Sequence, residues 1–233
     1  MNFDIYAFGD VCIFLIPVVI FFSILFSAIL GSLARRSSYG MQLLILLSYV
    51  FALGVVTHEL AHRLFCSLFG VQVKETQFFK VTRKQTAGGE YISIGGYVDC
   101  ADITSVIVAL LLGFAPLFIN GLLVALLYYY APVIQDTAFY ALAVYLGISL
   151  GLGTRISKED LTLWVEALKK NPGRGLFELF CLISFAGLLY FLVTFIQIPI
   201  WGTLGLVLGF CSVVILLTRV KPRSDTRRRL PGM

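Results

Sequence analysis

Val55-Val56-Thr57-His58-Glu59-Leu60-Ala61-His62 carries both histidines of this chain, set four residues apart with a carboxylate directly after the first. Residues four apart on a helix project from one face, so two neutral imidazoles can share one metal ion. Zinc is the ion this donor set suits, with a water at its open position whose pKa it lowers. Glu59 is then within reach of that water as a general base. The motif lies inside Met41 to Gly70, an otherwise apolar run of membrane-spanning length. Polar groups at that depth face a bundle interior or a wet cavity. Two histidines and a glutamate at metal-binding spacing are therefore read as a site and not as core residues.

Composition agrees with a membrane setting. The 233 residues are 59% hydrophobic, with a mean hydropathy of +0.92, against roughly 45–50% apolar residues in soluble domains. Six apolar stretches can be marked: Val11–Leu33, Met41–Phe69, Ile103–Tyr130, Thr137–Leu152, Gly175–Gln197 and Ile198–Thr218. The last two form one continuous run, divided at Gln197-Ile198-Pro199 because proline interrupts helical hydrogen bonding. The fold class expected is an all-α polytopic membrane protein with about six transmembrane helices, forming a single domain over 1–218. The N-terminus carries Asp4 and Asp10 and no basic region, so the first run reads as a retained helix and not a cleaved signal. The five cysteines form no CxxC pair and indicate no disulfide framework.

Charge orients the bundle. With six crossings, the 71–102 loop, the 154–174 segment and the 219–233 tail share one face and carry fifteen Lys and Arg, while the opposite face has only Arg35 and Arg36. Basic residues collect on the cytoplasmic side, which puts both termini there. The net charge of +5 is accounted for by orientation, so no nucleic-acid partner is needed. The bilayer is the expected partner, with the 219–233 tail disordered and held near anionic headgroups. His62 then lies eight residues before Gly70, or ~12 Å below the cytoplasmic end of its helix.

Between the second and third spans, Val71-Gln72-Val73-Lys74 and Phe78-Phe79-Lys80-Val81 alternate like strands, Gly88-Gly89 supplies a turn, and Glu90 to Val98 reads as a returning strand. Gly95-Gly96 within it marks a bulge or a close approach of backbone. The result is a small β-ribbon insertion, either a cap on the bundle or an edge onto which an extended substrate segment could pair. Arg63, four residues after Glu59, has two readings: an ion pair with Glu59, or a side chain reaching for headgroups. Cys66 continues the histidine face, but ligands at i, i+4 and i+8 would span ~12 Å, so it reads as packing.

These features together resemble the site-2 protease family of intramembrane zinc metalloproteases. The likeness runs through the His58–His62 helix with Phe69-Gly70, the Gly95-Gly96-Tyr97-Val98 strand, and Gly113-Phe114-Ala115-Pro116-Leu117-Phe118-Ile119-Asn120, which is similar to the family's Gly-Pro-x-x-Asn-type element. It covers roughly Val55 to Tyr130. The resemblance implies a zinc-dependent protease acting on membrane protein substrates. Asn120, a buried amide, is either interhelical glue or, as the resemblance implies, a group near the metal that binds substrate backbone or the developing oxyanion. The chain departs from the family at the third ligand, since neither Asn-Pro-x-x-Asp-Gly nor Leu-Asp-Gly occurs. The equivalent position is Leu152 to Leu161, where Asp160 is the candidate third ligand and Asp102, Asp99 and Glu166 are alternatives. Ser157 to Asp160 also reads as the start of an amphipathic helix, with Ser157 as N-cap. Both readings can hold at once.

Three other functions fit parts of the pattern. A membrane metallopeptidase of another clan would take its third ligand from Glu166 or Glu178. A proteolytically inactive relative would keep the bundle as a scaffold or chaperone. A metal transporter would need ligands spread along a path, and the later spans hold no histidine and almost no acid.

Overall fold

The structure, a computed structural model, describes residues 5–86, 89–101 and 103–219. Its elements in chain order are α1 (Ile5–Arg36), α2 (Ser38–Val50), α3 (Ala52–Phe69), β1 (Val73–Thr86), β2 (Gly89–Cys100), α4 (Val106–Tyr130), a 3₁₀ turn (Ala131–Val133), α5 (Thr137–Gly153), α6 (Lys158–Lys170), α7 (Pro172–Phe195) and α8 (Ile200–Arg219). All six apolar stretches are helical, and the 71–102 insertion is a two-stranded antiparallel sheet. The Gly88 half of the expected turn, Asp102 and nearly all of the 219–233 tail fall outside the described residues.

Three helices are long and apolar enough to cross a membrane: α1 over Ala7–Leu30, α4 with its 3₁₀ turn over Val106–Val133, and α7 over Pro172–Phe195. Among the described residues of α7 only Gly175 is buried, and Phe177, Phe180, Ile183 and Tyr190 stand exposed along it. That surface fits contact with lipid better than with water. Helices α5 and α8 are apolar but fall short of the same length test. The division of the last run lies where Pro199 suggested, with α7 ending at Phe195 and Gln197 at a φ of 53°.

The second stretch corrects the expectation of one continuous helix. It breaks at Phe51 into α2 and α3, whose axes bend by 61°. Helix α5 satisfies the backbone groups near the break. Ser149 Oγ accepts from the Gly54 amide at 2.9 Å and donates to the Phe51 carbonyl at 3.3 Å, while the Tyr145 hydroxyl donates to the Val50 carbonyl at 2.6 Å. Glycine lets α3 and α5 come this close. A Cβ on Gly54 would strike the Ser149 carbonyl, and one on Gly153 would strike the Gly54 carbonyl.

The core centres on α4, which packs on α3, α5 and α6. Val106 and Ala109 meet Ala167 of α6, and Leu112 and Val108 meet Cys66 and Phe69 of α3. The α4 N-terminus is capped from a distance. Glu178 of α7 accepts from the Val106 amide at 2.6 Å, the Ile107 amide at 3.2 Å and the Ser105 hydroxyl at 2.9 Å, and it pairs with Arg174 at 2.7 Å. A carboxylate there satisfies orphan donors and complements the helix dipole. Glu178→Ala is expected to lower stability by about 1–2 kcal/mol, the cost of losing a good cap. Thermal denaturation of the purified protein in detergent would check it, and an unshifted midpoint would discount the cap.

Candidate metal centre

Two helices deliver the candidate ligands. His58 and His62 project from α3, and Asp160 comes from the first turn of α6. His62 Nε2 lies 3.1 Å from His58 Nε2 and 3.1 Å from Asp160 Oδ1, and His58 Nε2 is 3.7 Å from Asp160 Oδ2. One ligand atom from each residue falls within 4.8 Å of the others, a group able to hold a metal ion. Ligands at 2.0–2.1 Å from a tetrahedral zinc stand ~3.3 Å apart along each edge. The observed spacings bracket that value, so the donor set fits.

The outer face of each imidazole explains why the inner face is free. His58 Nδ1 is 2.9 Å from the Gly153 carbonyl, and His62 Nδ1 is 2.9 Å from the Leu112 carbonyl. A carbonyl only accepts, so both Nδ1 atoms carry the proton and both Nε2 atoms present lone pairs inward. Neither carbonyl is available by chance. Gly153 is the last residue of α5, where helical carbonyls have no intrahelical partner. Leu112 sits four residues before Pro116, which has no N–H to give it. Two imidazole lone pairs and a carboxylate converging at these distances repel one another unless positive charge lies among them.

Asp160 caps α6, as the sequence allowed, and also stands in the group that could hold a metal ion. Its Oδ2 accepts from the Ser157 amide at 2.7 Å while Ser157 Oγ accepts from the Asp160 amide at 3.0 Å, a reciprocal cap for α6. Its Oδ1 faces His62. Gly113 permits the approach, since a Cβ there would stand 2.7 Å from the Asp160 backbone oxygen.

Glu59 is 6% exposed and lines the same cavity as the three ligands. Above it lies β2. A Cβ on Gly96 would collide with the Glu59 side chain and come within 2.5 Å of the Gln77 carbonyl oxygen. Gly96 thus marks a close approach of backbone. The register irregularity falls opposite, where Gln77 pairs with Tyr97 and Lys80 with Gly95, leaving two residues of β1 against one of β2. Arg63 is exposed with its guanidinium 5.9 Å from the Phe78 ring centre, and no ion pair joins it to Glu59 among the described residues.

Asn120 is fully buried on α4, and neither amide atom has a hydrogen-bond partner. It packs against Gly153, whose Cβ would stand 2.7 Å from Asn120 Nδ2. Buried amides are nearly always satisfied, so this one is marked out. Of the alternative ligands, Asp99 and Glu166 are exposed at the cavity margin and outside the cluster. Glu178 is committed to capping α4.

The cavity has a volume of about 1020 Å³. Its lining includes the apolar Phe26 and Leu30 of α1 and Leu44 and Leu47 of α2, together with the candidate ligands, Glu59 and the 95–100 segment of β2. The Glu178 cap and the carbonyl partners of the two histidines are features that sequence reasoning missed. Only Pro116, four residues after a carbonyl, gave a signal that could have found one of them. No family model matches this chain, and no curated protein or solved structure is significantly similar to it.

Proposed function

We propose that this protein is an intramembrane zinc metalloprotease that hydrolyses peptide bonds of membrane-embedded or juxtamembrane protein segments, a divergent counterpart of the site-2 proteases. The observation that carries the reading is the convergence of His58 Nε2, His62 Nε2 and the Asp160 carboxylate beside buried Glu59, in a cavity lined in part by apolar side chains. His58, His62 and Asp160 would hold the ion. When bound, zinc supplies Lewis acidity, acidifying a water and polarising the scissile carbonyl. Glu59 takes the water's proton and returns it to the leaving amine, a shuttle favoured by its exclusion from bulk solvent. Asn120 would be the substrate-orienting group, on the strength of its two unsatisfied amide atoms; it is fully buried against Gly153 and does not line the cavity, so its role requires that contact to open when substrate enters. A helical substrate hides its scissile carbonyls in its own hydrogen bonds and must unwind before attack. The 95–100 segment of β2 borders the cavity and offers an edge for the unwound strand.

The test is cleavage of a single-span membrane protein by the purified chain in proteoliposomes. A strong chelator should abolish cleavage, and one equivalent of zinc should restore it. Bound zinc without cleavage of any of several such substrates would favour the scaffold reading.

Six crossings with both termini and the β-ribbon cytoplasmic complete the proposal, supported by the fifteen-to-two distribution of basic residues. In intact cells, a cysteine added at the C-terminus should resist an impermeant maleimide until the membrane is opened. Ready labelling from outside would reverse the orientation.

A further inference from the structure

A second group of reactive side chains lies in the same cavity. Cys66, near the end of α3, is fully buried, while Cys100, the last residue of β2, is partly exposed. Their Sγ atoms are 2.6 Å apart. Both thiols line the cavity that holds His58, Glu59, His62 and Asp160. The local fold builds the contact. The Val71 amide bonds the Cys66 carbonyl at 2.8 Å, the Ala101 amide bonds the Gln72 carbonyl at 2.7 Å, and Val73 stands opposite Cys100 in the sheet. Both ends of the ribbon are thereby returned to the last turn of α3. Cys100 is the more accessible of the two sulfurs, so it is the one that an incoming disulfide meets first.

We propose that Cys66 and Cys100 form a thiol–disulfide modification site that takes small disulfides such as glutathione disulfide and, when oxidised, pins the β-ribbon over the metal centre. The Cys100 thiolate attacks one sulfur of glutathione disulfide, whose S–S bond breaks and releases one glutathione thiolate. Cys66 then loses its proton to water and attacks the Cys100 sulfur of the mixed disulfide, expelling the second glutathione. Two protein thiols are oxidised by two electrons and one glutathione disulfide is reduced to two glutathione thiols. The new bond closes the segment from 66 to 100 onto α3. Gly96, whose backbone lies against Glu59, is four residues from that bond. Oxidation therefore fixes the part of the ribbon that covers the glutamate, while the reduced pair leaves it free to lift for an incoming strand. A cytoplasmic ribbon would meet a reducing milieu in which such pairs are transient and regulatory.

The bond itself does not depend on the proteolytic reading and is tested without it. The full chain in nanodiscs is incubated with glutathione disulfide, blocked with N-ethylmaleimide, digested and analysed by mass spectrometry. Free thiols should fall from five to three, with one cross-linked peptide pair joining Cys66 to Cys100 that dithiothreitol reverses. Five remaining thiols, a lasting glutathione adduct on Cys100 without the cross-link, or a bond to another cysteine would each overturn the assignment. Amide exchange of the 95–100 segment should slow by about tenfold or more in the oxidised protein. It should be indifferent to oxidant in the Cys66→Ala, Cys100→Ala double variant. Equal exchange in oxidised and reduced wild type would overturn the pinning.

Discussion

Glu59→Gln is expected to reduce proteolysis by about 10²–10⁴-fold, the range for removing a positioned general acid–base group. Zinc content should not change. The ligand atoms come from His58, His62 and Asp160, and the Glu59 carboxylate is not among them. Glutamine has nearly the same shape, so the tight packing of the side chain against Gly96 survives and misfolding is not an alternative cause. The measurement is initial rate on a single-span substrate beside zinc per mole by atomic emission. A rate within tenfold of wild type would remove Glu59 from the proton shuttle, whereas loss of the metal would make it a ligand instead.

Asp160→Asn separates two roles that one carboxylate combines. As the reciprocal cap of α6 it accepts from the Ser157 amide, and an asparagine oxygen can do the same at a cost below about 1 kcal/mol. As the third ligand its charge is needed, because two imidazoles alone leave the site short of the three protein ligands usual for catalytic zinc. Altering a group that merely supports a ligand costs 10–100-fold in metal affinity or activity, so losing a ligand should cost more than about hundredfold. The expected variant is folded, with an unchanged melting profile in its metal-free form, but poor in zinc and nearly inactive. Full zinc occupancy and turnover would return Asp160 to a structural role and redirect attention to Asp102.

Much of the centre could be read from the chain because it depends on local periodicity. His58 and His62 share a face for any helix through them, and Ser157 to Asp160 announces a helix start whichever way the carboxylate turns. The strands of the ribbon follow from alternation, and a bulge or close approach at Gly95-Gly96 from glycines that strand propensity does not favour, although nothing in the sequence names Glu59 as what Gly96 meets. What stayed hidden depends on partners distant in sequence. The break at Phe51 shows no proline or glycine at that residue; hydroxyls from Ser149 and Tyr145, 95 or more positions away, satisfy the freed backbone groups. Glu178, which the sequence offers as a third ligand for another metallopeptidase clan, instead accepts from three donors at the start of α4, 71 to 73 residues away. Arg63 was left between two readings because the Phe78 ring on which it lies belongs to the ribbon.

The carbonyls that hold His58 and His62 also bear on how tightly the centre binds its ion. A side chain that must give up its rotamers on binding costs about 0.5–1.5 kcal/mol. Here the loss is met when the bundle folds, because the end of α5 and the gap left by Pro116 have already oriented both rings. Freezing two imidazoles in advance would contribute about 1–3 kcal/mol to later capture of a cation, or roughly five- to 150-fold in affinity. Should the proposed ion bind, a proline outside the candidate ligand set would strengthen its capture through entropy.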